Sequence, residues 1–281
     1  MQISEILCEI LVTMFANTLI FTYNMPMISK NKINYDIDYL IKNNKSQYQY
    51  TPIFDSINST STYIKENQNE LNDKTIIIAK RQTNGRGRYE RNFVSNDDKG
   101  IYCSFLIKEN IDQELLKFIN LKCACALHYA IKTTFNIDTQ IKWPNDLIIN
   151  QKKCAGILIE TQTLDNKYSS IIIGFGLNIY KQEFDHSLKL IATTLEDYKD
   201  QNYNRNQLLI HFFNQLDQFL YHKDIIPYFK KHMIPLRSNV FMTLNNSKEL
   251  VKILDLNDNG QLIIETKNND VLTLFNEEIS L

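Results

Sequence analysis

Apolar and polar positions alternate along this chain with two periods, and the changes between them outline its parts. From Asp112 to Phe135 apolar residues recur three to four apart, at Leu115, Leu116, Ile119, Cys123, Leu127, Ala130 and Ile131. That spacing predicts a long helix with one buried stripe. Ser59–Leu71, opened by hydroxyl residues able to cap, predicts a second helix, and Arg205–His222 and Asp224–His232 predict two more. Shorter apolar runs read as strands: Thr75–Ala79, Ile101–Ile107, Thr139–Lys142, Asp146–Asn150, Cys154–Thr161 and Ser169–Asn178, with a tight hairpin around Gln151-Lys152. From Ser238 to Leu281 the pattern becomes short strands split by Asn, Asp and Gly turns, the signature of a small β-barrel.

The chain therefore divides into an N-terminal extension with a polar, tyrosine-rich lead-in (1–50), an α+β region (51–235) and a small β region (236–281), with Pro235 at the second boundary. Ile6–Phe21 is rich in apolar residues, but Glu9 and Asn17 interrupt it and no Lys or Arg precedes it. It predicts an amphipathic helix rather than a signal peptide or membrane span. Met25 and Met27 are alternative natural starts.

Composition narrows the function. Lys plus Arg is 31 and Asp plus Glu is 32, a net charge of −1. Bulk charge will not hold this protein on nucleic acid or on an anionic membrane, although a local basic site is allowed. The five cysteines, Cys8, Cys103, Cys123, Cys125 and Cys154, are odd in number, widely spaced and form no CxxC pair, and His128 is the only histidine near one in sequence. They predict reduced, buried thiols in a cytoplasmic protein and no metal site. Only 7 residues are glycine, where an average chain of this length has roughly 20. Such a chain places glycine where geometry demands it.

Gly260 closes an Asn-Asp-Asn-Gly turn; the others direct attention to the residues around them. Gln82-Thr83-Asn84-Gly85-Arg86-Gly87-Arg88-Tyr89-Glu90-Arg91-Asn92-Phe93 is a pliable loop armed with three arginines, whose planar forks suit phosphate oxygens. It lacks the spacing of a Walker loop, and taken alone it also fits a solvated loop. Lys142-Trp143-Pro144-Asn145-Asp146 holds the only tryptophan and must bend at the proline. Lys153-Cys154-Ala155-Gly156-Ile157-Leu158-Ile159-Glu160 is an apolar strand opened by a lysine, fitting either a ligand's close approach or a β-bulge beside a surface lysine. Gly174-Phe175-Gly176-Leu177-Asn178 clears side chains from one face of a strand end, without the third glycine or following helix of a dinucleotide fingerprint.

In this order and spacing, together with Ser59-Thr60, the four motifs resemble those of the biotin–protein ligase family, from about Ile53 to the C-terminus. The resemblance implies an α+β fold, a mixed sheet flanked by helices, followed by a small SH3-like barrel. It implies that biotin and ATP, with Mg2+, give biotinyl-5′-AMP and pyrophosphate. The biotinyl group then passes to one lysine of the biotin carboxyl carrier protein of acetyl-CoA carboxylase. Carried over position by position, it puts Ser59, Thr60, Ser61, Gln82, Gly85, Arg86, Gly87, Lys153 and Gly156 on biotin, with backbone at Gly156 and near Gly174 and Gly176 admitting its rings and chain. It puts Arg88, Arg91, Phe93, Trp143, Asn145 and Asn178 on the nucleotide. The catalytic set is Lys153, Arg86, Arg88 and Asp146, with Asp146 orienting the incoming lysine. No resident metal is implied, and the family often dimerises through its sheet edge.

Some positions depart from the family. Tyr89 and Glu90 stand where an arginine and a glycine are frequent, Phe93 where tryptophan is usual, and Asn276-Glu277-Glu278-Ile279-Ser280 lacks a glycine. Residues 1–50 show no second helix with a basic recognition face, which predicts a monofunctional ligase without a DNA-binding domain. A lipoate–protein ligase is the nearest alternative, but the glycine run after its arginine is absent. A non-catalytic biotin or adenylate sensor is the other, and it has no need of Lys153 and the arginines.

Overall fold

The period-two runs pair into two sheets. The structure, a computed structural model, describes residues 34–95, 98–164, 167–221, 224–244, 247–275 and 279–280. The helix expected at Ile6–Phe21, Cys8, the alternative starts Met25 and Met27, and Asn276, Glu277 and Glu278 lie outside the described residues.

The larger sheet contains Gln49–Tyr50 (β1), Thr75–Ala79 (β2), Gly100–Ile107 (β3), Gln140–Lys142 (β4), Asp146–Ile149 (β5), Lys152–Leu164 (β6) and Lys167–Asn178 (β7). Their order is β1-β2-β3-β7-β6-β5-β4. β1 runs parallel to β2, and the other ladders are antiparallel, so the sheet is mixed. The stretch read as a lead-in supplies β1 and the short helix Ile37–Asn43, and buries Leu40 and Tyr48 in the core.

Alternation along the strands sends side chains to two faces. Ile76, Ile78, Cys103, Phe105 and Ile107 join the main core, as do the buried residues of the helices Gln113–Phe135 and Arg205–Tyr221. Ile77 and Leu106, one position out of phase, turn to the other face and with Ile172 enclose Ile64 of the helix Thr60–Asn67. Ile64 is fully buried, and truncating such a side chain to alanine costs about 2–5 kcal/mol. Two of the helices begin at the caps the sequence predicts, whereas the one expected from Asp224 begins at Ile226 without a side-chain cap. The Asp112 side chain accepts the Leu115 N–H at 2.6 Å, and Ser59 accepts that of Thr62 at 3.5 Å. The long helix ends at Asn136, whose φ of 51° is left-handed.

The hairpin between β5 and β6 sits one residue earlier than the pattern suggested. Asn150 and Gln151 have φ of 49° and 65°, the two positive values that a two-residue turn of this hand requires. Lys152 is thereby freed to pair with Ile149. Cys103, Cys123, Cys125 and Cys154 are buried and free. Burial pushes the Cys123 and Cys154 thiols up to about 12, so neither is a nucleophile near neutral pH.

The C-terminal strands Asn239–Leu244 (β8), Ser247–Leu256 (β9), Leu262–Glu265 (β10), Val271–Leu274 (β11) and Ile279–Ser280 (β12) form an antiparallel sheet of order β11-β10-β9-β8-β12. Among the described residues no ladder joins β11 to β12, so this is an open sheet where a small closed barrel was expected. One of its turns meets the bend between β4 and β5: the Trp143 Nε1–H donates to the Gly260 carbonyl at 3.0 Å. Gly260 has φ +73°, and a Cβ there would lie 3.2 Å from Leu121 and 3.3 Å from Phe118. Both the turn and the tight seat against the long helix therefore favour glycine. Among the described residues no helix is long and apolar enough to cross a membrane.

Candidate active site

Residues directly opposite each other in an antiparallel ladder share a face. Tyr102 pairs with Gly176, Gly176 with Gly156, and Gly156 with Asp146. The next row on that face holds Ser104, Gly174 and Leu158. Three glycines in two adjacent rows strip side chains from the face that carries the helix Thr60–Asn67, and a cavity of about 390 Å³ is lined there by all three.

The cleared space seats protein side chains. A Cβ on Gly176 would lie 2.4 Å from the Phe93 ring, one on Gly156 would lie 2.6 Å from Lys153 Nζ, and one on Gly174 would lie 3.0 Å from Ser104 Oγ. Each glycine thus makes room for a side chain that lines the cavity, and each lines the cavity itself.

Lys153 reaches the cavity through a bulge. Between Leu147 and Ile148 the β5–β6 register slips by one, leaving Cys154 as an extra residue. Lys153 and Gly156 are three apart and would face opposite ways on a regular strand; the bulge turns both to the cavity. The β-bulge expected of this motif is present, and it aims the lysine at the cavity.

The Lys153 ammonium lies 2.7 Å from Asp146 Oδ1, and Lys142 lies 3.2 Å from Asp146 Oδ2. Asp146 is buried, which by itself raises its carboxyl. Lys153 and then Lys142 outweigh burial and hold it below the usual carboxylate value. The carboxylate is therefore ionised and engaged by two cations. Lys142 also donates to the Ile279 carbonyl at 3.1 Å, so the second sheet closes this end.

The arginine loop folds over the same cavity. The Gly87 N–H donates to the Arg91 carbonyl at 2.7 Å and the Phe93 N–H to the Gly85 carbonyl at 2.8 Å. A Cβ on Gly85 would meet the Phe93 carbonyl oxygen at 2.4 Å, so only glycine permits the close approach. Arg86 pairs with Glu160 at 3.1 Å. Arg88 donates to Asn145 Oδ1 at 3.3 Å, linking the loop to the Trp-Pro-Asn-Asp bend. Tyr89 has a left-handed φ of 54°. Its ring lies 4.9 Å from the Arg88 guanidinium and 5.9 Å from that of Arg91. An aromatic ring between two cations offsets part of their repulsion.

A second polar cluster lines the cavity beside the helix start. The Thr60 N–H and hydroxyl both donate to Gln82 Oε1, at 2.8 and 3.1 Å. The Thr60 hydroxyl also meets that of Ser104 at 2.7 Å, and the Ser59 and Ser61 hydroxyls meet at 3.0 Å. Gln82 Nε2 donates to Ser95 at 2.8 Å. Buried hydroxyls both give and take hydrogen bonds, so this cluster can satisfy a ligand carrying donors and an acceptor together.

Of the residues singled out in the sequence, Ser59, Thr60, Ser61 and Gln82 line the cavity, as do Arg86, Gly87, Arg88, Arg91 and Phe93. So do Trp143, Asn145, Asp146, Lys153, Gly156 and Asn178. Gly85 does not; it shapes the loop from behind. Trp143 is 1% exposed, with its N–H committed to Gly260, and so presents little surface. Asn178 donates to the Thr193 carbonyl at 3.3 Å. Sequence reasoning missed Ser104 and Lys248. Ser104, a hydroxyl inside the apolar run of β3, carried a readable signal; Lys248 arrives from the second sheet and carried none. Among the described residues no group of three His, Cys, Asp or Glu side chains is arranged to hold a metal ion.

The model of the biotin/lipoate A/B protein ligase family matches residues 53–178. The bifunctional ligase/repressor BirA of Bacillus spizizenii is 30% identical over 236 residues, covering 81% of this chain and 72% of that protein. The chain belongs to the biotin protein ligase family. A second family member, the BirA of Bacillus subtilis, is 30% identical over 221 residues, 76% of this chain and 68% of that protein. The biotin protein ligase from Aquifex aeolicus, solved in complex with biotin and ATP, superposes with a TM-score of 0.72 at 26% identity, covering 83% of this chain and 98% of that one.

Proposed function

We propose that this biotin ligase joins biotin to the α-phosphate of ATP and then passes the biotinyl group to a lysine of the biotin carboxyl carrier protein of acetyl-CoA carboxylase. One observation carries the reading. Two charged contacts, Lys153 with Asp146 and Arg88 with the neighbouring Asn145, and a linked neutral cluster of Thr60, Gln82 and Ser104 line a single cavity. Biotin matches that division, with a carboxylate at one end and a ureido group of two N–H donors and one carbonyl at the other. A buried ureido group needs every one of these satisfied, and the hydroxyl–amide cluster offers both kinds of partner.

In the first step a biotin carboxylate oxygen bonds to the α-phosphorus and the bond to pyrophosphate breaks. Two anionic groups must approach, and Lys153 with the loop arginines supplies fixed positive charge where negative charge concentrates. Magnesium enters with the ATP phosphates as part of that substrate. In the second step the acceptor lysine, as free amine, bonds to the acyl carbon and AMP leaves with the bonding pair. That lysine has an ordinary pKa near 10.4 and must shed a proton. Asp146, ionised and already held by two ammoniums, suits attracting and orienting a third better than removing its proton. The arginine loop shelters the mixed anhydride from water. The C-terminal sheet, read as the SH3-like module, contributes Lys248 and Ile279 to the cavity mouth.

The direct test offers biotin or lipoate with ATP and magnesium and measures pyrophosphate, followed by transfer to a carrier domain. Biotin-dependent release and labelling of one carrier lysine are expected. Release with lipoate alone moves the assignment to the lipoate branch. Tight binding of biotin without turnover assigns a sensor.

A further inference from the structure

Arg205 opens the helix Arg205–Tyr221, is 0% exposed, and does not line the cavity. Its guanidinium donates to the Asp98 carboxylate and to the carbonyls of Asp98 and Gly100. The Tyr35 ring lies 4.2 Å from it and the Tyr180 ring 5.6 Å. The Tyr35 hydroxyl also donates to the Gly100 carbonyl. A buried cation persists only where it is well paired, and the planar fork suits several oxygens presented by one strand end, which a lysine cannot match.

The residues so held form the C-terminal stem of the segment bearing Arg86, Arg88 and Arg91. Asp98 has φ of 54°, an unfavourable conformation for a side-chain-bearing residue. Its N–H donates to the Lys80 carbonyl at 2.8 Å, and Lys99 accepts from the Ile179 and Tyr180 N–H groups. Gly100 pairs across the ladder with Asn178, which lines the cavity. Two residues further, Tyr102 meets the Phe93 ring edge-to-face at 6.4 Å.

We propose that Arg205, through Asp98, is a positioning residue that fixes the stem of the arginine loop and thereby sets the hold of the site on ATP and on the acyl-adenylate. This rests on the loop's role as the clamp of the proposed ligase. The test uses the whole chain carrying Arg205→Lys or Asp98→Asn, singly and together. The KM for ATP rises and biotinyl-AMP escapes faster, each about tenfold, the scale of losing one charged contact, while kcat at saturating ATP changes little. Trypsin cuts after Arg86, Arg88 and Arg91 faster than in the unaltered chain, and the double variant is no worse than either single one. Should Arg205→Lys not fold, the milder Asp98→Asn carries the test alone. A merely structural role lowers the melting temperature and the active fraction but leaves KM, adenylate escape and cleavage per folded molecule unchanged; that result overturns the proposal. If the unaltered chain makes no biotinyl-AMP, the proposed function fails instead, and the trypsin comparison still decides the stem.

Discussion

Gly156→Ala separates catalysis from folding at one atom. The new Cβ would lie 2.6 Å from Lys153 Nζ, 2.7 Å from its Cε and 3.3 Å from Asp146 Oδ1. Ordinary contact begins near 3.4 Å, so the ammonium must retreat by about 0.8 Å. The atom in the way is the end of a flexible side chain, so the backbone is spared. Gly156 has no left-handed φ, and alanine in its place restricts the unfolded chain slightly. Displacing a catalytic group by nearly 1 Å costs up to about 10²-fold. The expected outcome is therefore a drop in kcat for biotin-dependent pyrophosphate release of about 10- to 100-fold, with the melting temperature unchanged within a few degrees. Pyrophosphate release under saturating biotin and ATP, read beside a thermal melt, measures both. A Gly156→Ala enzyme with normal kcat would show that the place of Lys153 over this glycine does not matter to the chemistry. A large loss of stability would show that the steric argument fails in the backbone.

Lys153→Ala should lower adenylate formation by roughly 10²–10³, the usual scale for one transition-state charge contact; near-normal single-turnover rates would mean the lysine is misassigned. Arg88→Gly removes the bond to Asn145 and should let biotinyl-AMP escape, so mass spectrometry should find biotin on bystander lysines as well as on the carrier; labelling confined to the carrier would refute the clamp. Burial, with the His232 ring 4.4 Å away, pushes His128 down to about 4, while Asp138 and Lys132 act on it more weakly. A base with a depressed folded pKa takes up protons more readily when unfolded. Its contribution is complete above about pH 6.5 and is lost as pH falls toward 4, amounting to about 2 kcal/mol by pH 5. Thermal melts from pH 7 to pH 5 should fall, and fall less steeply in His128→Gln; identical slopes would remove His128 from the account.

Local rules account for much of the fold. Of the stripe read from Leu115 to Ile131 all but the half-buried Leu116 are buried, although packing on further sides also buries every residue from Leu121 to His128; Ser59 and Asp112 cap the helices they precede, and the six runs read as strands of the larger region all join its sheet. β1 escaped notice because two residues, Gln49 and Tyr50, carry no period, and a parallel partner far along the chain is a tertiary fact. Barrel closure was read from turn spacing, yet closure depends on whether edge strands meet, which no local pattern encodes. Chemical types at the site were legible for a related reason. Scarce glycines and repeated arginines stand out against an ordinary composition, because each answers a demand for space or charge that few other residues meet. Which atoms meet was not legible. A one-residue bulge turns Lys153 toward Asp146, and Gly176 makes room for Phe93, far away in the chain, only because two ladders come into register. Sequence determined which residue types were on hand, through local backbone preference and hydrophobic period. Tertiary structure alone decided their pairing, since side-chain direction on a sheet reverses with a single step of register.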